Sequence, residues 1–286
     1  PSLADNFLKE GVTFDQLGNY PKAEKCFHRM LALNLKRYSY NHPKVAESIN
    51  ALGIINERKG KLLKALEYHQ QATNILVDTL GESHPRVADF FENIGVIYSK
   101  MAEYERAIFF YRKALKVRRQ EYGDQHLSIA SSKQNLGVVY SKMFDFQAAK
   151  AAFQDALHIR RILLKSDHPL MVEVYNNLGL LYQETGQWQK ALVYFQQALS
   201  ILRSRYGEAH PHIGLIYNNI GVVYEGIGAL DQSLDFTQRA LDIRLATLGA
   251  NHPAVAKTCH NIGLIHHQKR NDKIALDYLK RSLRIN

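Results

Sequence analysis

Residues 168–211 read HPLMVEVYNNLGLLYQETGQWQKALVYFQQALSILRSRYGEAHP, and the fold follows from this stretch. Pro169 suits the first turn of a helix, where a missing N–H leaves nothing unbonded, and so His168 falls at the cap. Apolar residues then recur with the 3.6-residue period of a helix to about Glu184. Gly186 stands where a helix end favours a left-handed residue. A second, longer helix is predicted from near Trp188 to about Tyr206, with Gly207 stopping it before the next His-Pro. Gly179, Ala191 and Ala198 remove bulk where the two helices must cross closely. Tyr175, Leu178, Tyr182, Tyr194, Phe195 and Leu199 supply the volume around those contacts.

The same unit recurs along the whole chain. His42-Pro43 returns as His84-Pro85, His168-Pro169, His210-Pro211 and His252-Pro253, and as His126-Leu127, at steps of 42 residues. Gly11, Gly53, Gly95, Gly137, Gly179, Gly221 and Gly263 keep that step, as do Ala23, Ala65, Ala107, Ala149, Ala191, Ser233 and Ala275. Internal repetition at such a period is the signature of a stacked repeat protein. Six full periods fill residues 1–252, and 34 residues remain for a seventh. The expected organisation is one repeat domain, 1–286, divided at 1–42, 43–84, 85–126, 127–168, 169–210, 211–252 and 253–286. Each helix pair leaves apolar surface bare until a neighbour stacks on it, which is the logic of a solenoid. The last helix, IALDYLKRSLRIN (274–286), has no successor here. The expectation is a fragment, or an end used for self-association or for a further domain.

Leu178-Gly179, Tyr182, Ala191, Phe195 and Ala198 together resemble the tetratricopeptide repeat, and the resemblance covers the entire chain. The 42-residue length, the long second helix and the linker LGESHPRVA (80–88) are similar to the kinesin light chain subtype. Asn-Asn-Leu-Gly at 176–179 and Asn-Asn-Ile-Gly at 218–221 stand close to that subtype's Asn-Asn-Leu-Ala, although glycine is the generic choice of the wider family. The fold class implied is all-α, a right-handed superhelical solenoid of seven helix-turn-helix repeats. In such proteins the first helices line a concave groove that binds partner proteins.

A helical wheel divides each first helix into two faces. Opposite the core lie Asp89, Asn93, Val96 and Lys100 in the third repeat, and Ser131, Asn135, Val138 and Lys142 in the fourth. The fifth gives Glu173, Asn177, Leu180 and Glu184, and the sixth Leu215, Asn219, Val222 and Gly226. The resemblance makes this face the groove. Its floor is aliphatic, running through Val12, Ile54, Val96, Val138, Leu180, Val222 and Leu264. Beside it stands an asparagine ladder, Asn93, Asn135, Asn177, Asn219 and Asn261. An amide offers both donor and acceptor to the backbone of an extended peptide; it could equally bond to a neighbouring helix and fix the stacking. Arg58, Lys100 and Lys142 share one position in repeats two to four, followed by Glu184, Gly226 and Gln268. That stripe suits the acidic part of a ligand, and a solvated helix face is the alternative.

Other chemistries find little support. Thirty-seven basic against 27 acidic residues leave a net charge of +10, spread along the chain, which on charge alone suits nucleic acid or acidic proteins. Arg118, Arg119, Arg160, Arg161, Arg203, Arg205 and Arg244 stand in second helices, but aromatics that could stack on bases fall at core positions. These arginines are expected to snorkel along the helix surface. Six of the 13 histidines form the linker series, one per repeat and too far apart to share a metal ion. His260 and His267 share one face of a helix, but no third ligand accompanies them there. No phosphate-binding glycine loop or nucleophile elbow precedes a helix. Neither catalytic residues nor a cofactor are therefore expected. No apolar run reaches the ~20 residues of a membrane span, and the N-terminus lacks the pattern of a secretory signal. Two cysteines, Cys26 and Cys259, without CxxC spacing suit a reducing, cytoplasmic compartment.

The expected function is thus an adaptor that captures extended peptide segments of partner proteins in its concave groove, and acidic linear motifs are what the light-chain resemblance implies. The light-chain resemblance implies cargo adaptors of a microtubule motor as partners. A sensor array within a larger signalling protein and an RNA-binding superhelix are the alternatives.

Overall fold

The computed structural model describes residues 2–285, which form fourteen α-helices and no strand. The pairs are α1 (Leu3–Gln16) and α2 (Tyr20–Arg37), α3 (Pro43–Arg58) and α4 (Leu62–Leu80), α5 (Pro85–Lys100) and α6 (Tyr104–Tyr122), and α7 (Leu127–Lys142) and α8 (Phe146–Leu163). They continue with α9 (Leu170–Glu184) and α10 (Trp188–Tyr206), α11 (Pro211–Ile227) and α12 (Leu230–Leu248), and α13 (Pro253–Gln268) and α14 (Asp272–Ile285). The fifth pair keeps the bounds read from sequence. The helices group into two compact units, residues 1–143 holding α1 to α7 and residues 144–286 holding α8 to α14.

Local chemistry repeats with the sequence. The Nδ1 atoms of His42, His84, His126, His168, His210 and His252 each accept the backbone N–H two residues on, at 3.0–3.3 Å. His42, His84, His126, His210 and His252 are therefore N-caps, and His168 stands one residue before the Pro169 cap of α9; each satisfies one of the amide donors that a helix start leaves unbonded. The turn within each pair needs a left-handed residue. Gly186 meets this at φ +69, whereas Ala102, Phe144 and Arg270 adopt it despite their side chains.

In the first unit, Phe27, Met30, Leu52 and Ile55 form one buried cluster, and Val45, Leu76, Val87 and Phe91 belong to the next. A methyl added at Gly95 would lie 2.7 Å from the Tyr111 ring, and one at Gly179 in the second unit 2.5 Å from Phe195. Small-against-ring packing thus sets the helix approach in both units. The ring position is His69 in repeat two, over Gly53, and Thr237 in repeat six, over Gly221. A second aromatic pair also repeats: Tyr98 stacks on Phe110 at 5.6 Å, Tyr182 on Tyr194 at 5.5 Å and Tyr224 on Phe236 at 5.4 Å.

One expectation is overturned. Arg119, Arg161, Arg203 and Arg205 are exposed, but Arg118, Arg160 and Arg244 are buried instead of snorkelling. They occupy a recurrent stapling position near the end of the second helix, one whose bonds reach the start of the next first helix. Asn34 donates to the Lys44 carbonyl and the Ser48 hydroxyl. Arg118 donates to the Ser128 carbonyl and the Ser132 hydroxyl, and Arg244 to the Ala254 carbonyl and the Thr258 hydroxyl. Arg160 donates to the Leu170 carbonyl. Leu76 and Leu202 fill the same position with apolar side chains, opposite Phe90 and Ile216. The fold therefore does not require a charge there.

Candidate functional site

The residues expected to line the first-helix face fall on it. Ile54, Val96, Val138, Leu180 and Val222 are half-buried, and Val12 and Leu264 are exposed. Asn93, Asn135, Asn177 and Asn261 are half-buried, whereas Asn219 is buried. Asn93 Nδ2 donates to Asn50 Oδ1 at 3.0 Å, and Asn135 Nδ2 to Glu92 Oε1 at 2.6 Å. In the second unit, Asn219 Nδ2 donates to Asn176 Oδ1 at 2.9 Å, and Asn261 Nδ2 to Asn218 Oδ1 at 3.1 Å. Each acceptor lies one repeat and one residue earlier, so the ladder links successive first helices. These amides do hold the stack. Each can still offer its Oδ1 to a backbone N–H, because an amide has two donors and two acceptor lone pairs.

The basic stripe obeys the same offset. Arg58 Nε lies 3.9 Å from Asp15, and Lys100 Nζ lies 2.8 Å from Glu57. Lys142 Nζ reaches a hydroxyl, Ser99 Oγ at 3.5 Å, and no carboxylate among the described residues. Two of the three cations thus already have carboxylate partners within the first unit.

Sequence reading placed Arg118, Arg160 and Arg244 on the helix surface, whereas all three are buried. Arg118 Nη2 donates to Asp89 Oδ1 at 2.6 Å and to Glu92 Oε2 at 2.5 Å. Burial opposes its charge, but the bonds to Glu92 and Asp89 more than offset that, and its pKa is raised. Arg244 meets no such partner. Burial lowers its pKa, and no anion acts against the shift. The sequence did carry a signal. Wherever the stapling residue is polar and a hydroxyl stands 14 residues on, as in Asn34/Ser48, Arg118/Ser132 and Arg244/Thr258, the pair bonds across the repeat boundary.

Asn50 Oδ1 also lies 2.8 Å from His69 Nδ1, which ties the ladder to a fully buried imidazole. Burial lowers the His69 pKa to about 4, so the ring is neutral at neutral pH. Near it, Leu8, Val12, Phe27, Met30, Ile54 and Phe90 contribute to an apolar depression of about 280 Å³, rimmed by Asp15 and Glu47.

Family models match a tetratricopeptide repeat over residues 11–78, 57–120, 86–162, 154–204, 170–246 and 212–286. No match is found among the curated proteins. Among solved structures, a putative kinesin light chain with nearly identical repeats from Podosopora anserina is 20% identical with a TM-score of 0.60, covering 70% of this chain and 94% of its own. The apo form of RapI is 16% identical with a TM-score of 0.73, over 99% and 97% of the two chains. The Cut9–Hcn1 assembly of the APC/C gives 18% and 0.65, over 94% of this chain and 46% of the other. No helix among the described residues is long and apolar enough to cross a membrane.

Proposed function

The chain belongs to the tetratricopeptide repeat family, and on that premise we propose that it is a non-catalytic interaction scaffold whose first-helix face takes extended peptide segments of partner proteins. The observation that carries this reading is the partly exposed aliphatic row of Leu180, Val222 and Leu264 in the second unit, beside its amide ladder; Val96 and Val138 repeat the pattern in the first. Apolar side chains of a peptide would enter the row, and its backbone would meet the Oδ1 atoms that the stacking bonds leave available. Residues 1–286 act in this proposal as a single repeat domain in the cytoplasm, where the buried thiols of Cys26 and Cys259 stay reduced. The 42-residue repeat, shared with light-chain-like proteins, extends it to acidic linear motifs such as those of cargo adaptors. Lys142 contributes to the rate of encounter, whereas Arg58 and Lys100 contribute less because Asp15 and Glu57 already neutralise them.

The test is to pan a displayed library of short random peptides on the 286-residue chain, then repeat the binding with Leu180→Glu and Val222→Glu. We expect selected peptides to lose at least about ten-fold in affinity to each variant, since a desolvated apolar contact is replaced by a charge. A library that yields no binder, or binders indifferent to both changes, overturns the proposal.

A further inference from the structure

Arg244 is 3% exposed and its guanidinium is held from one side only, by Nη1 bonds to the Ala254 carbonyl at 2.9 Å and to the Thr258 hydroxyl. No acidic side chain among the described residues pairs with it. An unpaired buried cation is among the costliest groups a fold can carry. The stack does not need it, because Leu76 and Leu202 occupy the same position in repeats two and five.

Arg118, three periods earlier, shows what completes such a site. It is also buried, at 5% exposure, and makes the same two bonds to the following helix. Its outer edge, Nη2, is met by Asp89 and Glu92. The Asp89 side chain is 69% exposed, so a carboxylate can reach this buried guanidinium from the solvent side. In repeat six the positions of Asp89 and Glu92 are held by Leu215 and Asn218, neither of which is acidic. The Arg244 side chain runs past α11 there, its Cγ 3.2 Å from where a Gly214 methyl would stand. Lys257, next to Thr258 in the α13 sequence, is exposed and forms no ion pair among the described residues. Arg118 thus has two carboxylates at its outer edge, and Arg244 has none among the described residues.

We propose that Arg244 is a carboxylate-binding site, taking an Asp or Glu side chain, or the C-terminal carboxylate, of a peptide lying on α11 and α13. The ligand carboxylate sits where Asp89 sits against Arg118 and accepts from the outer edge of the guanidinium, with Lys257 adding long-range attraction. This rests on the reading of the first-helix face as the peptide surface, and it moves the acid-selective point from the stripe of repeats two to four to the junction of repeats six and seven.

The test is a double-mutant cycle on a peptide selected from the random library. The protein variant is Arg244→Leu with Thr258→Ile, which copies the apolar Leu202/Ile216 pair and so keeps the helix junction filled. The peptide variant replaces its acidic residue by the amide, or its C-terminus by a carboxamide. We expect the acidic peptide to lose roughly ten-fold or more against the protein variant, and the amide peptide to bind both proteins equally. Circular dichroism melting of the variant, expected no lower than that of the parent, shows that the junction stays folded. Binders that need Leu180 and Val222 but carry no acid, or that bind the variant as tightly as the parent, overturn this inference and leave the peptide surface standing. The absence of any binder overturns the peptide surface itself and this site with it.

Discussion

Arg118 in the first unit and Arg244 in the second are the same residue in the same register, stapled to the next helix by the same pair of bonds. Around Arg118 the protein supplies its own counterions, Asp89 and Glu92, and Asn135 joins the cluster through Glu92. Around Arg244 it supplies none. The difference shows that positive charge counted along a repeat chain is a poor guide to where an anion will dock. Arg58 and Lys100 are exposed yet paired with Asp15 and Glu57, whereas Arg244 is buried yet open. What matters is the charge left after neighbouring repeats have paired across their one-repeat offset.

The largest expected effect separates the two arginines by stability. Arg118→Leu leaves Glu92 half-buried without its cation, and breaking such a pair should cost about 3 kcal/mol, the low end for buried pairs because Asp89 is mostly exposed. Arg244→Leu with Thr258→Ile removes an unpaired buried cation and strands no anion, so it should leave stability unchanged or raise it. Urea unfolding of the two variants measures both. Equal losses would mean that the two sites are electrostatically alike.

The second contrast concerns acid. His69 in the first unit holds the ring position that Phe195 holds in the second. Its folded pKa of about 4 lies below the ordinary 6.5, so between these values the unfolded chain binds a proton that the folded chain refuses. Its contribution is fully present above about pH 6.5 and is lost as pH falls towards 4, by about 3 kcal/mol in all. Hydrogen exchange should therefore show α3 and α4 loosening before α9 and α10 on acidification. His69→Phe should remove that difference; a difference that persists in the variant would assign it to other groups.

Much of this was legible in the sequence, and the reasons are physical. The 42-residue ladders of His-Pro, glycine and alanine mark positions where backbone geometry or close packing restricts the side chain, so helix order and the bounds of α9 and α10 could be read directly. The aliphatic row and the asparagines were found because a helical wheel assigns a face from local spacing alone. Pairing between repeats escaped that method. Whether Lys100 is open or bound to Glu57 depends on a residue 43 positions away, and whether an arginine is buried depends on the helix stacked over it. Arg118 and Arg244 read as ordinary surface arginines until the hydroxyls 14 residues on, Ser132 and Thr258, are seen to receive them.

The most direct measurement closes the open site with the protein's own device. Leu215→Asp places a carboxylate at the position of Asp89, beside Arg244, and Leu215→Asn removes the same apolar contact without adding charge. Leu215 is 40% exposed, so either change should fit without repacking. With hydrogen bonds to a charged group worth about 1.5 kcal/mol or more, Leu215→Asp should be more stable than Leu215→Asn by about that amount. It should also lose the acidic peptide that Leu215→Asn still binds. Equal stability of the two variants, with acidic peptide binding alike to both, would contradict the account of Arg244 as a cation awaiting an anion.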